Sequence, residues 1–307
     1  MSKISKSYIK SYGKGIFKVK DKTIFKNGYF EIKKCRHGFF AYNKNDTFIG
    51  RSLDLYGEWT ETEINVLLSL VSPNDIVVDV GAYIGTHTIP FAKATLPKGG
   101  VYAIEPQRMA FAFLSTNIAI NNLMNVISIN KFASDTIKKI KTLILDQTVA
   151  QNFGSLKIPS LKKGETVETI TIDSLALSRV KLIKIDVEGD EEKVLVGATA
   201  TINKYKPILY IECTNPKNSK IIISKVFDLG YQAFWHIFGY YNPDNYFGEK
   251  KNVFAEFHPE ANIICFPKDT FVEQNIFIKV DGIKDTWKKA YAKALEKNKK
   301  MSNNYTE

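Results

Sequence analysis

Four short stretches carry residues whose types and spacing suit chemistry. In VVDVGAYIG, Val77–Gly85, an apolar run carries Asp79 and leads into a turn with Gly81, Ala82, Tyr83 and Gly85; Thr86 and His87 follow at once. VYAIEP ends in Glu105 and Pro106, NKFASD holds Ser134 and Asp135, and LIKIDVEGDEE places Asp186 past an apolar run with Glu188 two residues on. In open parallel sheets, ligands bind outside the carboxyl ends of the strands. A dinucleotide there asks for Gly-x-Gly-x-x-Gly, so that backbone N–H groups cradle the pyrophosphate. Here Tyr83 stands where the middle glycine belongs, and Asp79 would repel a phosphate by several kcal/mol at intermediate dielectric. Both features disfavour a nicotinamide dinucleotide.

A ligand that carries a cation and no phosphate meets neither objection. S-adenosylmethionine, with an ammonium, a sulfonium and an adenosine, is such a ligand, and S-adenosylhomocysteine is its demethylated product. Glu105, roughly 20 residues after the turn, is placed to take both ribose hydroxyls. Ser134 and Asp135 could meet the adenine edge. Methyl transfer to a hydroxyl then needs in-line geometry and a base. With period two, Lys184, Asp186 and Glu188 share one side of their strand. Asp186 is the first choice for base or orienting group; the alternative is that Asp186 and Glu188 only hold the loop and pair with Lys184. His87 falls at a helix start, where the helix dipole would keep it neutral, and is expected to line the cofactor cleft. His236 is the rival base. It precedes GYYNPDNYFG, an aromatic, Asn-rich loop whose Tyr241, Asn242 and Asn245 suit a carbohydrate, or simply suit a turn. Asn152 and Phe153 in QNFGS form a similar acceptor candidate. Asp186, Glu212 and His236 follow strands on one edge and could converge, but their spacing matches no fixed metal motif. No required metal is expected.

These residues need elements to hold them. GIFKV, GYFEIK and GFFAYN alternate apolar and polar residues between glycines, and predict a small β-rich lead-in over 1–55. Thr60 with Glu63 three residues on reads as a capping box, with Ile64, Leu67, Leu68 and Val71 at helical spacing. Apolar strands and helices then alternate: IVVDV, THTIPFAKATL, GGVYAIEP, MAFAFLSTNIAINN, VISIN, VKLIKIDVEG, PILYIEC, NSKIIISKVFDLG, YQAFWHIF and NIICFP. That rhythm predicts an α/β, Rossmann-like parallel sheet covered on both faces. KTLILD, SLKIP and TVETITID break it and predict an inserted hairpin. KDTWKKAYAKALEKNKK predicts a basic, surface-lying helix over 286–307, which leaves 56–285 as the main domain.

YGEWTETE, VVDVGAYIGTHT, VYAIEP, LIKIDVEGDEEKVLVGA and LYIEC together resemble the FkbM-type methyltransferases, a branch of the class I S-adenosylmethionine-dependent enzymes. The resemblance runs from about Tyr56 to about Pro267, and KIDVEGDE is its most specific piece. It implies a seven-stranded sheet with a reversed last strand, and O-methylation of a sugar, glycan or related small molecule. Glu58, in the first of these motifs, joins the cofactor candidates. One departure is Tyr83, where relatives often have Asn or Gly; a bulky residue disfavours positive φ, so the turn could differ locally or Tyr83 could cover the methionine.

Composition narrows the classes. The 307 residues carry a net charge of +11, mostly as lysine. That permits an acidic partner without requiring one. No nucleic-acid motif is present, and DVEG stands where base N-methyltransferases carry an Asn/Asp-Pro-Pro-aromatic tetrapeptide. An N- or RNA-methyltransferase and a non-catalytic binding protein on this fold are the alternatives. Cys35, Cys213 and Cys265 are scattered, and no apolar run approaches the roughly 20 residues of a membrane span. A cytoplasmic protein is expected.

Overall fold

The computed structural model describes residues 23–155, 164–272 and 277–293. β1 (Thr23–Asn27), β2 (Phe30–Cys35) and β3 (Gly38–Asn43) form an antiparallel sheet, as the alternating segments predict. GIFKV lies outside the described residues. Phe40, Ala41 and Tyr42 of β3 are buried in one apolar cluster with Val77 and Leu114, so this lead-in shares its core with the main sheet. α1 (Ile49–Tyr56) and α2 (Glu61–Ser69) follow. The expected capping box takes another form. Thr60 is left-handed at φ 40°, and its hydroxyl donates to the Glu63 carboxylate at 2.8 Å instead of accepting from the backbone. Glu63 turns inward because its partners lie over the sheet.

The alternating region reads β4 (Ile76–Val80), α3 (Thr88–Thr95), β5 (Gly100–Ile104), α4 (Arg108–Ile120) and β6 (Val126–Ile129). The insertion contributes β7 (Phe132–Ala133), β8 (Lys139–Thr142) and β9 (Glu165–Ile170), a second small sheet in the order β7-β9-β8. KTLILD is strand only as far as Thr142, and most of SLKIP lies outside the described residues. Then come β10 (Leu182–Ile185), α5 (Glu191–Val196), α6 (Thr199–Tyr205), β11 (Ile208–Glu212), α7 (Pro216–Asp228), β12 (Tyr231–Phe238), β13 (Glu260–Pro267) and β14 (Ile278–Lys279). Pro90 sits in the first turn of α3, where its missing N–H costs nothing. α7 starts on an Asn215 cap that accepts from Lys217 N–H at 3.0 Å, and stops before Gly230 at φ 83°.

The large sheet runs β14-β12-β13-β11-β10-β4-β5-β6. β6 through β11 are parallel, while β13 is antiparallel to both β11 and β12. This is the expected Rossmann-like methyltransferase sheet with its seventh strand reversed, extended at one edge by two residues of β14. One face buries Val78, Ile183, Ile185 and Ile211; the other buries Val77, Leu182, Tyr210 and Ile264. The basic tail does not merely lie on the surface. Its visible turns, 287–293, bury Trp287 and Ala290 in the first of those clusters, and Trp287 Nε1 donates to Thr214 O at 2.9 Å. Among the described residues, no helix is long and apolar enough to cross a membrane.

Candidate active site

Strand order reverses between β4 and β10, and a crevice opens there at the carboxyl ends. Gly81 (φ 79°) and Gly85 (φ 92°) bend the chain out of β4. A Cβ on Gly81 would stand 1.8 Å from the Asp186 carbonyl oxygen, so the turn rests directly on the end of β10. Tyr83 keeps a left-handed backbone, φ 48°, despite its bulk. That conformation costs about 1–2 kcal/mol. Two bonds offset it: Tyr83 N–H donates to Glu105 Oε2 at 2.9 Å and its hydroxyl to Asp46 Oδ2 at 2.9 Å. Glu105 also accepts from Gln107 N–H at 2.8 Å. Burial pushes Glu105 up to about 7, against those two bonds and with help from the charges of Asp79 and Asp186.

A row of polar side chains crosses the sheet behind this turn. Lys184 is the register partner of Asp79 on one side and Tyr210 on the other; Glu212 pairs with Asn262, and Asn262 with His236. Lys184 is 1% exposed, with Nζ 3.1 Å from Asp186 Oδ2 and 3.9 Å from Asp79 Oδ1. Burial alone would lower its pKa, but Asp186, Asp79 and Glu63 together raise it, so the ammonium is kept. Asp79 accepts from Thr88 Oγ1 at 2.6 Å, while its Oδ1 has no hydrogen-bond partner among the described residues. From α2, Glu63 reaches His87 Nε2 at 2.9 Å and accepts from Asn262 Nδ2 at 3.1 Å. Burial opposes its ionisation, yet His87 and Lys184 hold Glu63 at about 2. Asn262 also donates to the Tyr210 hydroxyl at 3.1 Å, which lies 2.8 Å from His236 Nδ1.

The cleft measures about 630 Å³. Of the residues singled out in the sequence, Gly81, Ala82, Tyr83, Thr86, His87, Glu105, Pro106, Asn152, Asp186 and Glu188 line it. Carboxylate oxygens of Asp186, Glu188 and Glu212 lie within 4.8 Å of one another. This group could hold a cation; Glu188, not His236, is its third member. Burial and the Asp186 charge push Glu188 up to about 8 and raise Glu212, and burial pushes Glu260 up to about 7.

Other candidates sit elsewhere. His236 does not line the cleft; it is 7% exposed beneath Tyr210, and burial lowers its pKa. Glu58 is spent on structure. It binds Arg36 Nε at 2.6 Å, Asn242 Nδ2 at 2.8 Å and Tyr246 N–H at 2.8 Å. Asn245 brackets its own loop, donating to Glu249 O and accepting from Glu249 N–H, and Tyr241 donates to Glu249 O. Their neighbour Tyr240 faces the cleft instead. Ser134 and Asp135 lie past β7, which pairs with β9, and Phe132 and Ala133 line the cleft in their place. Phe153 is buried away from it at 3% exposure. Lys184, Glu63 and Asn262 were not anticipated from sequence as cleft residues. The one legible signal was a lysine inside the apolar run LIKI.

The description "Methyltransferase FkbM domain" matches residues 79–233. The hexuronic acid methyltransferase AglP of Haloferax volcanii is 33% identical over 155 residues, 49% of this chain and 60% of that protein. The tRNA(Phe) (4-demethylwyosine(37)-C(7)) aminocarboxypropyltransferase of Methanocaldococcus jannaschii is 52% identical over 56 residues, 18% of this chain and 22% of that one. The chain thus spans less than two thirds of either relative. Among solved structures, the methyltransferase FkbM of Methylobacillus flagellatus KT aligns over 63% of this chain and 44% of its own, at 21% identity and a TM-score of 0.42. With its family match extending from Asp79 to Ala233, half of the sequence, the chain belongs to the methyltransferase FkbM domain family.

Proposed function

We propose that this protein transfers a methyl group from S-adenosylmethionine to a hydroxyl of a sugar, glycan or related small molecule. The observation that carries the reading is that the glycine turn, Glu105 and Asp186 open into one cleft. The cofactor supplies a methyl group on a sulfonium, and the residues present fit it. Glu105 offers a buried carboxylate between two backbone N–H donors, and among the described residues Asp79 keeps a buried oxygen without a hydrogen-bond partner and seven carboxylates line the cleft against one lysine. Such a cleft suits a cation without phosphate. The turn at Gly81–Tyr83 would hold the methionine end and Glu105 the ribose hydroxyls. Asp186 stands beside Gly81 and is partly open to the cleft. It would take the acceptor's proton as the new C–O bond forms, a contribution of about 10²–10⁴-fold. Lys184 fixes its carboxylate from behind. The name of AglP supports a sugar acceptor.

The test is transfer of labelled methyl from S-adenosylmethionine to sugars and glycan fragments, with saturating cofactor and acceptor. Asp186→Asn should lower turnover by about 10²–10⁴-fold. Glu188→Gln should do less, and His236→Ala should leave the chemical step near wild type. A crippled His236→Ala beside a healthy Asp186→Asn would move the base to the histidine. Alkyl transfer to RNA is the second reading, favoured by the segment shared with the tRNA enzyme and by the charge of +11. A tRNA arm in the same assay separates the two.

A further inference from the structure

The acceptor end of the cleft has two walls of different chemistry. One is aromatic. Phe48, Trp59, Tyr240 and Phe257 all line it. Phe48 meets Phe257 edge-on with centroids 4.9 Å apart, and Trp59 packs on Tyr240 at 5.5 Å. Phe257 is 49% exposed, so the core does not need it there. The other wall is acidic and rich in hydrogen-bond acceptors: Glu188, Glu212 and Glu260 line it. Asn262, register partner of Glu212 and 4% exposed, lines the same cleft, and its Oδ1 has no hydrogen-bond partner among the described residues. Hydroxyls on this wall are already committed. Ser155 donates to Glu188, and both Tyr240 and Thr214 donate to Glu260. Lys184, the only lysine or arginine among the described residues of the lining, is buried and bound to Asp186.

We infer that the acceptor is a polyhydroxylated ring bearing no carboxylate or phosphate, a neutral or amino sugar, with Glu212 as a specificity residue that turns anionic sugars away. The inference rests on the methyltransferase reading and narrows it. A pyranose presents an apolar face to the aromatic wall and hydroxyl donors to the acidic one. An ammonium substituent adds charge attraction. A carboxylate in the same place adds a like charge to carboxyls that already press one another towards the neutral form, and among the described residues no free lysine or arginine in the lining answers it. This sets the chain apart from what the name of AglP says of that protein.

The experiment titrates three matched probes, a methyl glucoside, a methyl glucosaminide and a methyl glucuronide, into the protein saturated with S-adenosylhomocysteine, read by ligand-observed NMR. Calorimetry with S-adenosylhomocysteine comes first. If that ligand does not bind, the methyltransferase reading fails, and the result is not charged to the acceptor. With it bound, the glucoside and glucosaminide should bind at least tenfold more tightly than the glucuronide, and Glu212→Gln should shrink that gap severalfold. A glucuronide that binds as well as the other two overturns the inference. So does binding of none of the three, or a gap that Glu212→Gln and Glu260→Gln both leave unchanged.

Discussion

Glu105 links the stability of the ligand-free protein to pH in a direction opposite to that of most surface carboxylates. Its ordinary value is 4.5, and burial lifts it to about 7 in the fold. Between those two pH values the folded chain holds a proton that the unfolded chain has lost. Stability therefore falls as pH rises through that window. The carboxyl is 4% exposed, so little solvent screening applies. At about 1.4 kcal/mol per pH unit the gap is worth roughly 3 kcal/mol, present in full below pH 4.5 and lost by about pH 7. Glu105→Gln keeps the size of the side chain and cannot ionise. Urea unfolding of the two proteins without cofactor, in steps from about pH 4 to about pH 8, should show the wild type losing roughly 3 kcal/mol relative to the variant. Cofactor binding should reverse the trend, because ribose hydroxyls favour the ionised carboxylate. Calorimetry near pH 6 in two buffers of different ionisation heat should then register proton release by the wild type and less by Glu105→Gln. Parallel unfolding profiles for the two proteins would refute the reasoning at its root.

Two further outcomes follow from the packing. Lys184→Met should destabilise the fold by about 3–5 kcal/mol in urea unfolding, because it strands Asp79 and Asp186 without their shared cation. Adding Asp79→Asn should recover part of that loss, and strict additivity of the two changes would deny the coupling. Trp287→Ala should cost about 3–5 kcal/mol, the usual range for emptying a buried tryptophan site; a change under about 1 kcal/mol would return the tail to the surface.

The order of elements was legible because the central strands bury both faces. IVVDV and YQAFWHIF could be bounded to the residue, since a short, nearly unbroken apolar run fits a strand covered on both sides and little else. The side of the cleft built on the glycine turn and Glu105 was legible for a related reason: residues at strand ends fall on one edge whatever the loops do. The aromatic side was not. Tyr240 and Tyr241 are adjacent and chemically alike, and only the path of the loop sends the first into the cleft and the second onto the Glu249 carbonyl. The Glu63–Asn262–Tyr210–His236 chain was illegible because it joins a helix to three strands far apart in sequence. Ser134 and Asp135 fall outside the cleft lining because the chain runs on from β6 into β7 instead of turning at the end of β6.

The positions of Glu58 and Tyr56 make the loop over 239–259 portable. One carboxylate clasps Arg36 of the lead-in together with Asn242 and Tyr246 of the loop, Tyr56 of α1 binds the loop at Phe247 N–H, Lys251 O and Val253 N–H, and the remaining loop bonds are largely to itself. The glycine turn, by contrast, is pinned to β10 at a distance that admits no side chain. The two halves of the cleft are therefore free to change at different speeds. A lineage could exchange residues 239–259 as one cassette, carrying Arg36, Tyr56 and Glu58 along, and reshape that side of the cleft without retuning the strands that carry the glycine turn.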